Sequence, residues 1–456
     1  MFGDLQIRVA KWFTCLFSVI YLCLVVYPFG EELPERKCAP RFNGTFVQSW
    51  LSSSWDEERW ADEIETMEKD GVKYLILQDL AHKDSAGNWS VYYDSDLAVF
   101  ENASFGDNVL AGAFNAVKGS DIQIFVGLIS FDNLWSGGTV TKEYEEICKV
   151  TADMTEEIYN KYYGGNEANF YGWYFTPEFS NNVLMQLSTG NVVKGLNIVL
   201  DKATQLNAEI PLMISPFTSK YLTLGKAATT VQWLKICLRA NWRDGDIIAP
   251  QDAVGAGWIS EDDLEDIWQM YYFAVCESET DLRLWANCEN FTSAIAPSFG
   301  EGFINPPATE NVVYVPVTLD RLVRQMDIAS HFCENIITFS YTHYFSPAKV
   351  ESCFIDTYMD YVNNGYVLEA QAPSAPAEFE KTSDGSNVIL SWEASEDNFG
   401  ISHYRILRNG EFLTRIECLY GAPELTYTDE NADINSTYTI IAYDAAGNAS
   451  DIAKAK

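Results

Sequence analysis

The most regular feature of the chain is a succession of short apolar runs, separated by stretches with helical periodicity. Eight runs lie between residues 44 and 344. They are GTFVQSW, VKYLILQD, IQIFVGLIS, FYGWYFTPE, EIPLMISPF, DIIAPQDAV, LRLWANCENF and NIITFSYTHY. Most are apolar almost without interruption, which is typical of parallel strands that are buried on both faces.

The stretches between the runs have the pattern of amphipathic helices. DEERWADEIETMEKDG places Trp60, Ile64 and Met67 on one helical face and stops at Gly71. The seven repeats up to residue 335 average roughly 42 residues, a normal length for one strand and one helix. The pattern predicts an α/β fold, a (β/α)8 TIM barrel over residues 39–369. An open doubly wound sheet is the alternative, but it calls for an early glycine-rich phosphate turn that the sequence lacks.

The last part of the chain has a different pattern, with apolar residues at every second position. A Pro/Ala-rich linker at residues 370–377 leads to NVILSWEAS, HYRILRNGEFL and STYTIIAYDAAGNAS, with a turn at Asn409-Gly410. Trp392 and the motifs EDNFGISHYRILRNG, YTD and AYDAAGN resemble a bacterial fibronectin type III domain. The resemblance implies an all-β sandwich over residues 378–453. We expect it to be a spacer or attachment module whose removal leaves activity on soluble substrates largely intact.

The first thirty residues precede the predicted fold. Arg8 and Lys11 come before a run of apolar or near-apolar residues from Trp12 to Tyr27. A positive segment followed by a short hydrophobic core is typical of an export signal. A cleaved signal peptide and a retained membrane anchor both stay open, and both predict an extracytoplasmic protein. A buried helix of the fold is the third interpretation.

Charge and cysteine content exclude several partners. The 456 residues include 65 acidic and 30 basic side chains, a net charge of −35. Such a surface repels phosphate backbones, so we expect no nucleic-acid partner. The cysteines form no C-x-x-C pair and the chain has only four histidines, so we predict neither a metal site nor a cofactor. One or two disulfides and buried free thiols are equally compatible with the spacing.

The polar residues that end each run are the candidates for chemistry, because TIM barrels work at the carboxyl ends of their strands. The fourth and seventh runs end on Glu178 and Glu289, across the predicted barrel mouth from each other. Glycoside hydrolysis needs one carboxyl group to protonate the leaving oxygen and another to attack or to activate water. The candidate sugar-binding residues are Gln48, Trp50, Asp79, Trp135, Trp173, Gln251, Asp252, Asn287 and Tyr341.

The sequence predicts the surroundings of each glutamate and offers other carboxylates that could take its place. Apolar neighbours such as Trp173 are expected to raise the pKa of Glu178, and hydrogen bonds from Asn287 or Tyr341 to keep Glu289 ionised. Asp252 and Asp79 are the replacements if either glutamate fails. If Glu289 is merely structural, we expect it to pair with Arg283.

Several of these segments resemble a family of uncharacterised bacterial proteins, domain of unknown function 4434. The segments are GTFVQSW, LIS…LW at residues 128–135, GWY before PE, and WANCENF. The resemblance covers residues 42–345 and implies a glycoside-hydrolase-like TIM barrel. An acid on the fourth strand and a nucleophile on the seventh resemble clan A glycoside hydrolases. That clan has Asn before the strand-four glutamate, whereas this chain has Pro177, which puts transfer of the clan's substrate contacts in doubt.

These observations predict a glycoside hydrolase that retains anomeric configuration and acts on an oligo- or polysaccharide. The alternative is a barrel that binds glycans without hydrolysing them and is displayed with the C-terminal module. A metal-dependent hydrolase is a third hypothesis, but it needs several converging His and Asp ligands, and only His343 ends a run.

Overall fold

The computed structural model describes residues 33–133, 142–294 and 312–456. Eight parallel strands form a closed barrel, which confirms the prediction from the run pattern. The barrel strands are β1 (Gly44–Val47), β2 (Tyr74–Leu77), β3 (Gln123–Gly127), β4 (Phe170–Phe175), β5 (Leu212–Ile214), β6 (Ile247–Ile248), β7 (Arg283–Glu289) and β8 (Asn335–Phe339). The ring closes where β1 pairs with β8, through Gly44 opposite Ile337 and Thr45 opposite Thr338.

Helices connect the strands and form the outer layer. They are α1 (Glu57–Lys69), α2 (Val109–Ala116), α3 (Lys142–Ile158), α4 (Thr189–Leu206), α5 (Lys226–Arg239), α6 (Leu264–Cys276), α7 (Leu319–Ser330) and α8 (Ser352–Asn363). α1 begins where the Asp56 side chain accepts a hydrogen bond from the Arg59 amide at 2.9 Å. Its buried face carries Trp60, Ile64 and Met67, as the periodicity predicts.

Two separate apolar layers hold the barrel together. One fills the interior of the ring with residues such as Phe46, Tyr174 and Trp285. The other lies between the strands and the helices and includes Leu75, Trp173 and the buried helix faces. Successive side chains of a strand point to opposite faces, so each residue belongs to one layer only.

An additional small sheet lies at the end of the barrel where strands β2 and β3 finish. Its strands are Ser104–Phe105, Trp89–Val91, Ala81–Lys83 and Ile129–Phe131, in that spatial order. The first three come from the long excursion between β2 and β3. The excursion is therefore an ordered extension of the barrel at the carboxyl ends of its strands.

The C-terminal part folds as two packed antiparallel sheets. The strands are β9 (Ala377–Ser383), β10 (Val388–Glu393), β11 (Ile401–Arg408), β12 (Glu411–Glu417), β13 (Thr426–Asp429), β14 (Tyr438–Asp444) and β15 (Ala453–Lys454). The sheets are β9-β10-β13 and β12-β11-β14-β15, and their facing side chains share one apolar cluster. The β11–β12 hairpin turns at Asn409 and Gly410, both with positive φ, as Asn-Gly predicts.

Two expectations from the sequence concern the membrane and the thiols. The predicted export segment at residues 1–30 lies outside the described residues. Across the three described ranges, no helix combines the length and the apolar character needed to cross a bilayer. The eight cysteines in those ranges all have free thiols.

Candidate active site

Both predicted glutamates lie at the barrel mouth, the opening formed by the carboxyl ends of the strands. Tyr174 and Trp285 belong to the layer inside the ring. Glu289 lies four residues beyond Trp285 in the same strand, and residues an even number apart share a face of a strand. Glu178 lies three residues after the end of β4 and is placed by its hydrogen bond with Gln251 and its interaction with Tyr174. Both carboxyl groups therefore point toward the axis of the barrel.

Glu178 lies in a poorly hydrated position just after β4. Burial raises the pKa of Glu178 to about 7, because a charged carboxylate loses its water shell there; a hydrogen bond from the Gln251 side chain opposes this rise. Gln251 is itself oriented by a bond from its Nε2 to the Ser215 carbonyl at 3.2 Å. A carboxyl group with this pKa can hold a proton near neutral pH.

Glu289 is the more deeply buried member of the pair, with 3% of its surface exposed. Its Oε2 accepts a hydrogen bond from the Ala256 amide at 2.7 Å. The loop after β6 supplies that amide and passes so close that a Cβ on Gly255 would lie 2.9 Å from Oε2. Only glycine at this position lets the loop backbone reach the carboxylate.

The electrostatics of Glu289 link it to its neighbours. Burial, together with the charges of Asp252 and Glu178, raises the pKa of Glu289 to about 8 against the opposing effects of the Ala256 amide and the Arg321 guanidinium, so the expectation that Glu289 stays ionised is wrong. The effect of Glu178 means that the two glutamates share one neighbourhood. Two such carboxyl groups resist simultaneous ionisation, so one can be an acid while the other is a base.

Asp252 does not reach the mouth, contrary to the prediction that it contacts substrate. Its Oδ2 accepts from Gln325 Nε2 on α7 at 2.5 Å, and its Oδ1 from the Glu289 amide at 3.2 Å. Because Gln251 points into the ring, its neighbour Asp252 must point out toward the helices. Asp252 therefore contacts the backbone of Glu289 on the helix side of the barrel wall.

Trp173 and Tyr341 are also placed away from the mouth. Trp173 is fully buried in the outer layer, where its ring meets Phe170 edge-on at 4.9 Å between centroids. It follows from the inward position of Tyr174 that Trp173 faces the helices. The Tyr341 hydroxyl donates to the buried Glu63 carboxylate on α1, so it cannot orient Glu289.

The other predicted contacts line the mouth or its rim, except one. Gln48 accepts a bond from the Ser340 hydroxyl at 3.1 Å, and Asn287 donates to Ser215 Oγ at 3.1 Å. Trp50 is 54% exposed and lies at the rim, with its ring 5.8 Å from that of His343. Trp135 lies outside the described residues.

Asp79 belongs to a polar chain that the sequence did not indicate. Its Oδ2 accepts from the Ser130 hydroxyl at 2.6 Å, and Ser130 Oγ lies 2.7 Å from His82 Nδ1. Burial raises the pKa of Tyr174, and the charges of Glu178 and Asp79 add to the rise, so Asp79 lies on the Glu178 side of the mouth. His82 and Ser130 come from the added sheet, whose pairing across residues 81–83 and 129–131 is not a local property.

Three buried acceptor atoms at the mouth have no hydrogen-bond partner among the described residues. They are Gln78 Oε1, Asp79 Oδ1 and Asn287 Oδ1. An unsatisfied buried acceptor is costly, by roughly 1–3 kcal/mol, so such atoms in one opening suit a ligand that brings donors.

An aromatic cluster adjoins Glu289. Phe291 stacks on Tyr344 at 5.3 Å and meets Tyr314 edge-on at 4.9 Å. Burial raises the pKa of both tyrosines, and the charge of Glu289 adds to the rise, which places their hydroxyls near the carboxylate. Tyr314 lies 25 residues after Glu289, and only the pairing of strands 291–293 and 314–316 brings it there.

Arg321 is the functional neighbour that the sequence did not reveal. Its guanidinium donates to the carbonyl oxygens of Glu289, at 3.3 Å, and of Phe291. Arg283, the predicted partner of Glu289 in a structural role, instead pairs with Glu334 at 3.0 Å. No group of three or more His, Cys, Asp or Glu side chains is arranged to hold a metal ion within the described ranges.

Comparisons with known proteins give the fold and short local similarities. The solved structure of a "putative alpha-L-fucosidase" from Bacteroides thetaiotaomicron has a TM-score of 0.57 and 16% identity, covering 75% of this chain and 100% of that one. This likeness concerns the barrel fold. An "Alpha-amylase" from Niallia circulans is 37% identical over 92 residues, 20% of this chain. "Chitinase A1" from the same organism is 35% identical over 83 residues, 18% of this chain.

The matched segments span only 7% and 11% of those two relatives, so they say little about the barrel. A family model covers far more of the chain, residues 42–351, which include every barrel strand and α1 to α7. The chain therefore belongs to the family described as Domain of unknown function (DUF4434).

Proposed function

We propose that this protein is a glycoside hydrolase whose catalytic residues are Glu178 and Glu289. The observation that carries the proposal is a pair of interacting carboxyl groups at the mouth, Glu289 buried and Glu178 partly buried, with pKa values raised to about 8 and about 7. Their electrostatic interaction allows one to stay protonated while the other ionises. The glycosidase-like barrel of the structural relative is in keeping with this activity but does not define it.

In the proposed reaction Glu178 is the acid and Glu289 the nucleophile. Because the pKa of Glu289 (about 8) lies above that of Glu178 (about 7) in the free protein, these roles require the shared proton to move to Glu178 when the substrate binds. A Glu289 oxygen attacks the anomeric carbon while Glu178 donates its proton to the glycosidic oxygen, whose bond to that carbon breaks. The Ala256 amide holds Glu289 Oε2 and so fixes the orientation of the attacking group. Glu178, now ionised, takes a proton from the water that releases the sugar, and anomeric configuration is retained.

The proposed substrate is an oligo- or polysaccharide. Sugar hydroxyls supply the donors that Gln78, Asp79 and Asn287 lack in the protein. Exposed rings at the rim, above all Trp50, offer flat apolar faces that pack against the C–H faces of sugars. We also propose, from the N-terminal pattern alone, that the protein acts outside the cytoplasm, and that Trp135 is a further sugar contact.

A polysaccharide panel with product detection tests the activity. Glu178→Gln and Glu289→Gln keep the shape of each side chain and remove its acid–base function, so each should lower kcat by at least about 1,000-fold. Glu101→Gln, at an exposed position, is the matched control and should keep full activity. Proton NMR of the first-formed product distinguishes retention from inversion.

Turnover by both glutamine variants at the rate of the control would refute the assignment. The alternative function, glycan binding without hydrolysis, is supported by the same rim and unsatisfied acceptors. It predicts that both variants bind glycans as the unmodified protein does and that no sugar is released. The interaction of the buried Glu289 with the partly buried Glu178 favours the enzyme, because glycan binding alone gains nothing from the free energy that it costs to place two such carboxyl groups together.

A further inference from the structure

Two backbone amides at the start of α7 donate hydrogen bonds to the C-terminal sandwich. The amides of Leu319 and Asp320 donate to the carbonyl oxygens of Ala445 and Ala446, at 2.8 and 3.1 Å. Amides in the first turn of a helix have no acceptor within that helix, and the Thr318 side chain does not cap α7. The loop after β14 therefore caps a helix of the barrel domain.

This contact is closely packed. Gly447 has a φ of +100° and lies against the Asp320 side chain, so closely that an added Cβ would collide with the Asp320 carboxyl group. Ala445 and Leu419 are fully buried and belong to the apolar cluster of the barrel domain. A second backbone bond, from the Glu351 amide to the Leu419 carbonyl at 2.8 Å, fixes the sandwich beside α8. A flexibly attached spacer has no such contacts.

The first two turns of α7 bring two polar side chains to Glu289. Arg321 donates to the Glu289 carbonyl at 3.3 Å, and Gln325, one turn later, donates to that carbonyl at 3.3 Å and to Asp252. Arg321 is partly buried and its positive charge lowers the pKa of Glu289, against the effect of burial. A displacement of α7 therefore changes both the position and the ionisation of Glu289.

We propose that the sandwich positions Glu289: its 445–447 loop caps α7 and so holds Arg321 and Gln325 against the end of β7. The inference rests on the proposed function for its catalytic consequence. It replaces the expectation that the C-terminal module can be removed without loss of activity. The module is a structural component of the barrel mouth, and Arg321 and Gln325 are positioning residues.

A pair of glycine substitutions in the full-length protein tests the proposal. Gly447→Ala introduces the collision with Asp320, whereas Gly385→Ala places the same methyl group at a φ of +102° with no atom within 4 Å. The two variants share the backbone strain and differ in the contact with α7. Gly447→Ala should lower kcat by about 10-fold or more with a smaller effect on KM, and Gly385→Ala should not.

Titration of the Glu289 carboxyl group gives a readout that is independent of turnover. Carbon-13 NMR on glutamate-labelled protein follows it, with the resonance assigned by its loss in Glu289→Gln. We expect Gly447→Ala to raise the pKa of Glu289 by at least about 0.5 units, because Arg321 moves away, and Gly385→Ala to leave it unchanged. A protein without glycosidase activity that still shows this difference would refute the proposed function but not the positioning role.

A second substitution separates the contact from local strain. Asp320→Ala removes the carboxyl group that the new methyl would meet, so Gly447→Ala combined with Asp320→Ala should restore the titration and the kcat of Asp320→Ala alone. Equal pKa values for Glu289 in Gly447→Ala and Gly385→Ala, or no recovery in the double variant, would overturn the inference. Thermal unfolding of each variant confirms that folded protein is being compared.

Discussion

Replacing Glu289 by glutamine should stabilise the protein, and increasingly so as the pH rises. The carboxyl group of Glu289 is buried, with a pKa raised from 4.5 to about 8 by burial first and by Asp252 next. The folded state therefore retains a proton that the unfolded chain releases between these two pKa values. The unfolded state binds fewer protons in this range, so the free energy of unfolding falls as the pH increases.

The size of the effect follows from the two pKa values. Holding Glu289 in the fold costs about 1 kcal/mol at pH 5 and about 3 kcal/mol at pH 7, and the cost levels off above the folded pKa. Glutamine has no ionised form and does not incur this cost. Its amide oxygen can also accept the hydrogen bond from Ala256, so no contact of Oε2 is lost.

Urea unfolding at pH 5, 6, 7 and 8 measures the difference between Glu289→Gln and the unmodified protein. We expect a gap of about 1 kcal/mol at pH 5 that widens to about 3 kcal/mol at pH 7. Glu101→Gln, at an exposed position, should show no such widening. A constant gap, or one that shrinks with pH, would refute the argument that Glu289 is kept in the fold at a cost for its chemistry.

Three further predictions concern the surroundings of the site. Tyr341→Phe leaves the buried Glu63 carboxylate without one of its donors. It should lower the free energy of unfolding in urea by about 1–3 kcal/mol and leave kcat unchanged. A lower kcat with unchanged stability would mean that Tyr341 lies at the mouth after all. Trp50→Ala at the exposed rim should raise KM without changing Tm. Trp173→Ala should lower the free energy of unfolding by about 3–5 kcal/mol, because it leaves a cavity at a buried site. Similar Tm values for the two variants would contradict the placement of these side chains. The pH profile of kcat/KM should be a narrow bell with its maximum between pH 7 and 8. The first ionisation of the two mouth glutamates creates the nucleophile, and the second removes the acid. A plateau that extends from pH 5 would rule out Glu178 and Glu289 as the catalytic pair.

The barrel and the position of the glutamate pair could be predicted from the sequence because they depend on local regularities. Apolar runs with intervening helical stretches specify strands buried on both faces, and a closed parallel ring has all its carboxyl ends at one opening. Glu178 and Glu289 end their runs in phase with interior residues. Their common location then follows from the fold class alone.

The errors at Asp252, Trp173 and Tyr341 have two different physical causes. The first two result from counting adjacent residues as if both faced the mouth, although a strand turns each residue away from the next. Gln251 and Tyr174 occupy the inward positions, so their neighbours face the helices. Tyr341 lies beyond β8 in a short helix, where strand alternation no longer applies.

By itself the sequence determined the eight strand–helix units, the alternation that divides each strand between two apolar layers, and the sheet-forming C-terminal part. These properties arise between residues a few positions apart. Only the tertiary structure decided the surroundings of Glu289: the Ala256 amide, the Arg321 guanidinium and the sandwich loop that caps α7. These groups come from segments far apart in the chain, and packing brings them together, so no spacing in the sequence records their contact.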